Sequence, residues 1–533
     1  QLPLALLLAS CGLGVLAALW PLPRLDTGGL ADPMNALAAL HIGKGALLAV
    51  VYVAMLGRLA SFGPLRDRAV VAGMVAGLTW TVGIVLWERM AFVSLLDFDS
   101  VYRVTGPFSA MHRGGAYLEA YLALASAFLL IGLLRPQPLA ARLLAAALLG
   151  ATGYAMMVTY SRNGYVAWAA VLLLGLLLIT PHRGAGARAV PHWLRGAAVA
   201  GLAVAVALPI ALTGFARERI ERSLQDLQVR QAHWMDAIAL RPDSPERLLF
   251  GAGLGRFPEA HLWGSREAVR ATTIHLRREG AQHFLQLGPG SPTYIEQWVW
   301  PPASGTLTLQ MQLRVSPQPG VFAVRADAAS VAPAVGLSVS LCEKWLLTSA
   351  RCETVRVLAD APAASGWLRG QAALTGFAPA PGRPLKFTLM APTGGGAIEV
   401  ASVSLRSADG RELLANGDFA SGLARWFWST DVDPPWHIHS LPVALWFDLG
   451  WVGVVLWTLA LGFAAVAALR RWQRGQVLAP TALVALAGFM TSGLVNTLVD
   501  TPRFLMLVLM LVWLCSQDDA TTSPQRCKSQ KPV

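Results

Sequence analysis

The sequence predicts an α-helical polytopic membrane protein with about ten spans and a β-sandwich inserted on the outer side of the membrane. Charged residues make up 14% of the 533-residue chain, well below the ~25% that is usual in soluble domains. The apolar residues are gathered into blocks of about 20 residues, a length that crosses a hydrocarbon core of ~30 Å. Between residues 214 and 440 these blocks are interrupted, and much of this segment has an alternating strand pattern.

Ten blocks have the composition of membrane spans. They cover residues 2–20, 41–57, 69–87, 116–134, 142–160, 164–180, 194–213, 441–469, 477–496 and 503–516. Because the chain begins with Gln1 and its first apolar run starts at Leu2, we expect further residues upstream. Five cysteines are too few for a disulfide scaffold.

The net charge of +12 comes from an asymmetry between loops. Lys and Arg concentrate in the short loops on one side of the predicted spans, for example at Arg66, Arg135, Arg183 and Arg470. Positively charged loops of this kind remain cytoplasmic. The pattern therefore places both termini in the cytoplasm and segment 214–440 outside, and it argues against a nucleic-acid partner.

Five regions follow from this organisation. They are residues 1–213 with the first seven spans, 214–280 with an outer helical segment, 281–433 with the inserted β-sandwich, 434–516 with a histidine segment and the last three spans, and a cytoplasmic tail at 517–533. In the β region, Leu307, Leu309 and Met311 alternate with polar residues, which is typical of a half-buried strand.

Two cysteines lie in the predicted β-sandwich. Nine residues separate Cys342 from Cys352. In an oxidising outer compartment they are predicted to form a structural disulfide, which would stabilise the fold by roughly 2–3 kcal/mol. The alternative is a pair of small buried thiols.

A cation stands at the outer end of the fifth span. Ser161, Arg162, Asn163 and Gly164 follow the apolar run, and the Asn-Gly pair predicts a tight turn. An arginine on the outer side opposes the positive-inside tendency. Because the planar guanidinium suits phosphate oxygens, Arg162 is a candidate anion ligand. The alternative is a side chain that extends to the lipid headgroups.

The outer helical segment carries a charged stripe. Arg222, Asp226 and Arg230 are spaced four residues apart and therefore share a helix face. A salt-bridged, solvated face explains such spacing, but Arg230 is followed by Trp234 and by the glycine-rich stretch 250–257. Glycines at this spacing allow backbone to approach a ligand. No strand precedes the stretch, so a dinucleotide fingerprint is rejected.

Two histidines precede the eighth span. His437 and His439 lack the further ligands that a zinc site needs. Imidazole titrates near neutrality and therefore suits acid–base chemistry or hydrogen bonding to phosphate. The alternative is an interfacial residue that anchors a helix. A different metal site is suggested by Asp97 and Asp99 in an outer loop, although this spacing often arises by chance.

In this order, these residues resemble the O-antigen ligase and O-antigen polymerase superfamily of bacterial membrane glycosyltransferases. The resemblance covers about residues 100–280 and 434–516. Ser161 to Gly164 match a Ser-Arg-Gly-like motif. Arg230 to Trp234 match Arg-x-x-x-Trp, and Gly251 to Phe257 match Gly-x-Gly-x-x-x-Phe. His439 matches a histidine that stands eleven residues before a Gly-x-x-Gly motif, which here begins at Gly450.

The chain departs from the family pattern at several places. Asn163 stands in place of a glycine, Ser440 in place of the usual Asn, and Asp448 in place of the usual Glu. The β region is an insertion that the simplest members lack. Spacing favours His439, but His437 lies two residues earlier and leaves the choice of histidine open.

The resemblance implies a GT-C-like, metal-independent glycosyltransferase of surface-polysaccharide assembly (O-antigen or exopolysaccharide), in the bacterial inner membrane with its large loop in the periplasm. The donor would be a polyprenyl-diphosphate-linked glycan, and the acceptor a lipid-linked repeat, lipid A core or a protein, with no cofactor. Arg162 and Arg230 would hold the diphosphate, and His439 would activate the acceptor hydroxyl. The second-rank candidates for binding the diphosphate are Arg256, Arg503, Arg222 and His437.

The β region has its own hint of sugar binding. The phrase from Asn416 to Trp426 resembles part of a jelly-roll carbohydrate-binding module. Seven of the nineteen tryptophans lie in this domain and its exit, and they suit either sugars or a sandwich core: Trp298, Trp300, Trp345, Trp367, Trp426, Trp428 and Trp436.

The rival interpretation of the whole chain is a non-enzymatic polysaccharide exporter or flippase whose outer domain grips the glycan. A transporter needs ionisable groups deep within its spans. Lys44 and Glu119 are the main candidates, and the sequence links them into no relay. Because the chemically active residues cluster on the outer side instead, the sequence favours the enzyme.

Overall fold

The computed structural model describes residues 1–22, 36–62, 64–98, 100, 102–108, 116–180, 223–241, 244–265, 274–287, 293–300, 305–315, 336–345, 348–358, 366–377, 383–390, 398–430 and 437–519. The chain forms two compact units. The first comprises residues 1–21, 39–257 and 437–533, and the second comprises residues 22–38 and 258–436. The predicted span 194–213 lies outside the described residues.

The helices are apolar over most of their length, as the block pattern predicts. In chain order they are α1 (Leu2–Leu19), α2 (Ala38–Leu59), α3 (Leu65–Phe92), α4 (Ala116–Leu134), α5 (Leu139–Met157), α6 (Arg162–Leu178), α7 (Ser223–Ala239), α8 (Pro245–Phe250), α9 (Phe257–Gly264), α10 (Leu441–Gln473), α11 (Leu478–Gly493) and α12 (Pro502–Cys515). α7, α8 and α9 lie between residues 214 and 280 and are the polar exceptions.

Within the described residues, six helices are long and apolar enough to cross a membrane. They are Leu2–Leu19, Ala38–Phe62, Leu65–Phe92, Ala116–Leu134, Leu139–Met157 and Leu441–Gln473. α6, α11 and α12 are apolar but have only 17, 16 and 14 residues. Ser161 caps the start of α6, and Pro502 is the first residue of α12. The protein is mainly helical with a separate β region, and its described residues contain fewer full-length spans than the ten predicted.

Three helices form the centre of the first unit. α4 is buried along most of its length, and α6 and α11 pack against it and against each other. The helices approach closely at small residues: a Cβ on Gly175 would lie 2.3 Å from Leu130, and a Cβ on Gly488 would lie 2.3 Å from Val171. This packing fixes the ends of α4, α6 and α11 relative to one another.

The second unit is a β-sandwich. Its strands are β1 (Ile274–Glu279), β2 (Gln282–Leu287), β3 (Thr293–Val299), β4 (Gly305–Val315), β5 (Gly336–Trp345), β6 (Thr348–Leu358), β7 (Leu368–Phe377), β8 (Leu385–Met390), β9 (Ile398–Arg406) and β10 (Phe427–Thr430). Within the described residues they form two five-stranded sheets with the orders β1-β2-β9-β4-β7 and β10-β3-β8-β5-β6. Apolar side chains of both sheets share one core, which includes Leu309, Met311 and Phe387.

The boundary between the helical and β regions lies earlier than predicted. Residues up to 280 are expected to be helical, but β1 begins at Ile274 and pairs antiparallel with β2, Ile274 opposite Leu287. Gly280, with φ of +62°, makes the turn between them. Pairing in the sheet therefore overrides the charged, helix-like composition of this segment.

The two cysteines of the sandwich are joined as predicted. Cys342 and Cys352 lie directly opposite each other on β5 and β6, and their sulfur atoms form a disulfide. The bond therefore links neighbouring strands of one sheet and closes the hairpin between them.

The Asn416 to Trp426 phrase is a structural loop. Asn416 adopts φ of +52°. Its side chain holds the loop through three hydrogen bonds, which join it to Ser421, Gly422 and Ala424. Trp426 donates its Nε1 proton to the Asn416 carbonyl at 2.9 Å, and its ring is buried against Phe419. These aromatic rings belong to the core, and they present no face to a sugar.

The tryptophans of the β region divide into two groups. Trp367 and Trp426 are buried, whereas Trp298 and Trp300 are 44% and 58% exposed. The side chains of Trp345 and Trp428, and Trp436 as a whole, lie outside the described part of the chain. Trp367 and Trp426 therefore belong to the core, as one interpretation predicts. Trp298 and Trp300 have the exposed surface that the sugar-binding interpretation requires.

We expect Asn416→Ala to weaken the sandwich by about 2–3 kcal/mol, because it removes three side-chain hydrogen bonds and places alanine in a left-handed conformation. Hydrogen exchange of the backbone amides in residues 398–426, followed by mass spectrometry on the full chain, measures the change. The matched control is Asp418→Ala in the same loop, an exposed position whose carboxylate accepts a single hydrogen bond, from the Ala420 amide at 3.3 Å, so a smaller change, centred on Ala420, is expected. Equal protection in wild type and Asn416→Ala would contradict this account of the loop.

Candidate functional site

One face of α7 contacts several separate parts of the first unit. Asp226, Arg230, His233 and Trp234 follow helical spacing and share that face. Asp226 is bonded to Arg162 of α6, and Arg230 to the Val495 carbonyl after α11. His233 and Trp234 are bonded to the carbonyls of His437 and His439, which precede α10. α7 therefore brings the start of α6, the end of α11 and the histidine segment together.

The turn before α6 positions Arg162. Ser161 caps the helix, and its Oγ accepts a hydrogen bond from the Gly164 amide at 3.3 Å. The reversal occurs at Tyr160, whose φ is +51°. The turn predicted at Asn163 and Gly164 therefore lies earlier, because the serine cap starts the helix at Arg162.

Arg162 is placed where an anion would be favoured. It is the first residue of α6, and the N-terminus of a helix carries a partial positive charge. Its Nη2 forms an ion pair with the carboxylate of Asp226, and the two side chains are 31% and 47% exposed. Arg230, one turn further along α7, donates to the Val495 carbonyl. The two arginines that the sequence singled out thus lie at the same end of the helical core, where α6 begins and α11 finishes.

Asn163 connects two helices. Asn163 donates from Nδ2 to the carbonyl of Ser492 in α11, at 2.8 Å. Arg230 binds the carbonyl of Val495, one turn further on. The end of α11 therefore accepts hydrogen bonds from both of the segments that carry the candidate arginines.

His437 belongs to a network that extends across the first unit. Its Nδ1 forms a close ion-pair contact with Oδ2 of Asp500, and Tyr117 of α4 donates its hydroxyl to Oδ1 of the same carboxylate at 2.9 Å. Burial lowers the pKa of His437, but the charge and hydrogen bond of Asp500 act in the opposite direction and raise the pKa above its usual value. With Nδ1 held by the carboxylate, Nε2 is the nitrogen suited to exchange a proton with a substrate.

His439 lies beside His437 but in a different setting. Its backbone is left-handed, with φ of +56°, and its carbonyl accepts the Nε1 proton of Trp234 at 3.1 Å. Its ring centroid is 5.6 Å from that of His233 and 6.1 Å from that of His437. Spacing in the sequence favours His439, whereas the carboxylate partner belongs to His437.

The glycine-rich stretch packs against a break in α10. Gly450 has φ of +62°, and the helical geometry is interrupted there. The carbonyls of Phe447 and Asp448, just before the break, accept hydrogen bonds from the amides of Ala252 and Gly253 at 2.7 and 2.9 Å. A Cβ on Gly450 would lie within 2.5 Å of the backbone of the glycine-rich stretch. These glycines therefore serve contact between two parts of the backbone, where the sequence suggested approach to a ligand.

The second-rank arginines are dispersed. Arg503 is exposed, and its guanidinium lies 5.1 Å from the ring centroid of Phe108. Arg256 is half-buried at the end of the glycine-rich stretch. Arg222 lies outside the described residues. Within the described part of the chain, the α7 face is thus joined directly to Arg162 but not to Arg503.

Of the two aspartates considered for a metal site, Asp97 and Asp99, the structure describes only Asp97. Asp97 accepts a hydrogen bond from Arg89 through its main-chain carbonyl. Asp99 lies outside the described residues. Among the residues that the structure describes, no group of three or more His, Cys, Asp or Glu side chains is placed to hold a metal ion.

The ionisable residues of the rival transport interpretation are separate from each other. Glu119 is buried in α4 and accepts a hydrogen bond from Asn496 at 3.0 Å. Lys44 lies on an exposed part of α2 with its Nζ 3.2 Å from His41. Their hydrogen bonds, to His41 and to Asn496 in the described ranges, do not link the two residues.

Sequence reasoning missed four residues of this region. Asp500 stands in the same short turn as Arg503, but only the arginine is predicted from the sequence as a site residue. Tyr117 and His233 are polar groups at the edge of an apolar span and of the charged stripe. Arg103 donates from Nε to the carbonyl of Thr159 at 2.8 Å, beside the turn that leads to α6. A polar residue at the end of an apolar block is the signal that would have flagged Tyr117.

Comparison of the chain with protein families, with curated proteins and with solved structures gives no match. The functional argument therefore rests on the residues and on their geometry.

We expect Asp500→Asn to lower the pKa of His437, because it removes both the charge and the charge-assisted hydrogen bond that raise it. Neutral imidazole reacts with diethyl pyrocarbonate, so the rate of modification of His437 against pH reports the pKa. In wild type the half-maximal rate should fall above the ordinary histidine value, and in Asp500→Asn it should move to lower pH. Tyr117→Phe, which keeps the carboxylate, is the control, and an unshifted profile in Asp500→Asn would contradict the pairing.

Proposed function

We propose that this protein is a metal-independent glycosyltransferase of the O-antigen ligase and polymerase type. It would move an oligosaccharide from a polyprenyl-diphosphate lipid to an acceptor hydroxyl, with a lipid-linked repeat, lipid A core or a protein as the acceptor. The observation that carries the proposal is the meeting of three distant segments on one face of α7. The segments supply Arg162, the Val495 carbonyl and the pair His437 and His439, and α7 itself supplies Arg230.

The chemistry of glycan transfer matches the groups that meet there. The acceptor oxygen bonds to the anomeric carbon while the bond from that carbon to the diphosphate oxygen breaks. The bonding electrons depart with the diphosphate, which gains negative charge, and the hydroxyl proton passes to a base. Arg162 at a helix N-terminus and Arg230 would stabilise the growing charge, which is the largest single contribution in many enzymes.

The base is assigned to the histidine segment. His437 has a carboxylate on Nδ1, and this arrangement fixes its tautomer and stabilises the imidazolium that forms when it accepts a proton. The raised pKa of His437 means that the neutral, proton-accepting form increases as the pH rises through that value. His439 matches the family spacing and would then position the acceptor or the phosphate from beside it.

The proposed function also implies where in the cell the protein acts. The chain would lie in the bacterial inner membrane with about ten GT-C-like spans, of which six appear as long helices among the described residues. The site and the β region would face the periplasm, where a lipid-linked glycan has already been moved across the membrane. The orientation rests on the excess of basic residues in alternate loops.

Arg162→Gln should reduce the rate of transfer by about 10²-fold, because it removes a charge-assisted donor to the leaving group. The assay uses the purified full chain in nanodiscs with a polyprenyl-diphosphate oligosaccharide pool in EDTA, and it follows release of polyprenyl diphosphate. Arg278→Gln, at an exposed position of β1, is the matched control and should leave the rate unchanged. Full activity of Arg162→Gln would remove the basis for a diphosphate clamp. Glycan binding by wild type without any release would instead favour the exporter or flippase.

The same assay distinguishes the two histidines. His437→Ala is expected to lose about 10²–10⁴-fold in rate, the range that a positioned base contributes, whereas His439→Ala should lose less. Asp500→Asn should lower the rate and shift its dependence on pH to lower values, in step with the pKa of His437. A loss confined to His439→Ala would reverse the assignment and leave the rest of the proposal in place.

A further inference from the structure

Asp226 holds a place in the site that the proposed reaction does not use. Its carboxylate is paired with Arg162, which is the cation assigned to the diphosphate under the proposed function. Arg162 and Asp226 come from α6 and α7, 64 residues apart in the chain. The pair is therefore a tertiary contact made at the point where a phosphate group would bind.

The pair is exposed enough to open. Arg162 is 31% and Asp226 is 47% exposed, and exposed ion pairs of this kind change equilibria by only about 1.5- to 5-fold. A diphosphate carries more negative charge than one carboxylate and forms bidentate contacts with a guanidinium. Such a ligand can displace Asp226 from Arg162, and the carboxylate can pair with Arg162 again when the ligand leaves.

We propose that Asp226 is an intramolecular competitor of the diphosphate for Arg162, and that it promotes release of the diphosphate product. This inference rests on the proposed function and adds a residue to it. After transfer, the leaving polyprenyl diphosphate has one more negative charge than the donor had, so the arginines hold the product more strongly than the substrate. A carboxylate on α7 that rebinds Arg162 counteracts this retention.

A structural role for Asp226 makes the opposite prediction. If the carboxylate only orients the guanidinium for the phosphate, then its removal leaves Arg162 poorly positioned and weakens binding. If it competes, its removal strengthens binding. The sign of the change in affinity therefore separates the two roles.

The experiment uses farnesyl diphosphate as the probe, because its free diphosphate resembles the product. Binding to the full chain in nanodiscs is measured by isothermal titration calorimetry for wild type, Asp226→Asn, Asp226→Glu and Arg162→Gln. Asp226→Asn should lower the Kd by about 1.5- to 5-fold, the range of an exposed ion pair, and Asp226→Glu should leave it near the wild-type value. Asp236→Asn removes the same charge ten residues further along α7 and should change the Kd less than Asp226→Asn does.

Turnover gives the second measurement. Asp226→Asn should lower the KM for the lipid-linked donor and should make added farnesyl diphosphate a stronger inhibitor, and its kcat should fall where product release limits the rate. A higher Kd and a higher KM in Asp226→Asn, with Arg162 still required for binding, would overturn the competitor role alone. Binding of farnesyl diphosphate that is equal in wild type and Arg162→Gln would overturn the proposed function of Arg162. Thermal unfolding of each variant in the same nanodiscs identifies any loss that comes from misfolding.

Discussion

The polar face of α7 is the contact on which one end of the helical unit depends, the end where α6 and α10 begin and α11 finishes. Two of its side chains, His233 and Trp234, are 3.0 and 3.1 Å from the backbone carbonyls of His437 and His439. These carbonyls precede α10 and have no helical ladder to join, so they need side-chain or water partners. Arg230 meets the same need at the end of α11. A single amphipathic helix thereby sets the positions of the groups that the proposed chemistry requires.

A second constraint lies in the backbone of α10. A helix that breaks at Gly450 leaves carbonyls without their usual donors, and a buried carbonyl without a donor is costly. The amides of Ala252 and Gly253 fill that role. Two sequence motifs nearly 200 residues apart in the chain are thus one structural feature. The β region can be inserted between them because the contact is made by backbone atoms on either side of the insertion.

The sequence predicts the structure correctly where a single local property of the chain determines it. Apolar blocks, the alternation around Leu309 and Met311, and the pairing of Cys342 with Cys352 depend on short stretches of chain. Contacts between distant segments were harder to foresee. Tyr117 and Asp500 are 383 residues apart, and nothing near either residue indicates the other. The Asn416 loop shows a further limit, since the same asparagine and tryptophan suit a sugar site or a turn around a core, and only packing decides between them.

The cations of the candidate site are held by the chain itself. Asp226 is paired with Arg162, the Val495 carbonyl accepts from Arg230, and Asp500 is paired with His437. A phosphate that binds here must therefore exchange with these partners, so its net affinity is the difference between two sets of contacts. Such a site would bind an anion less tightly than one with unpaired cations, but it would keep its side chains positioned and return to the same arrangement once the anion leaves. Because two of the three contacts lie on α7, we expect small movements of that helix to accompany binding and release.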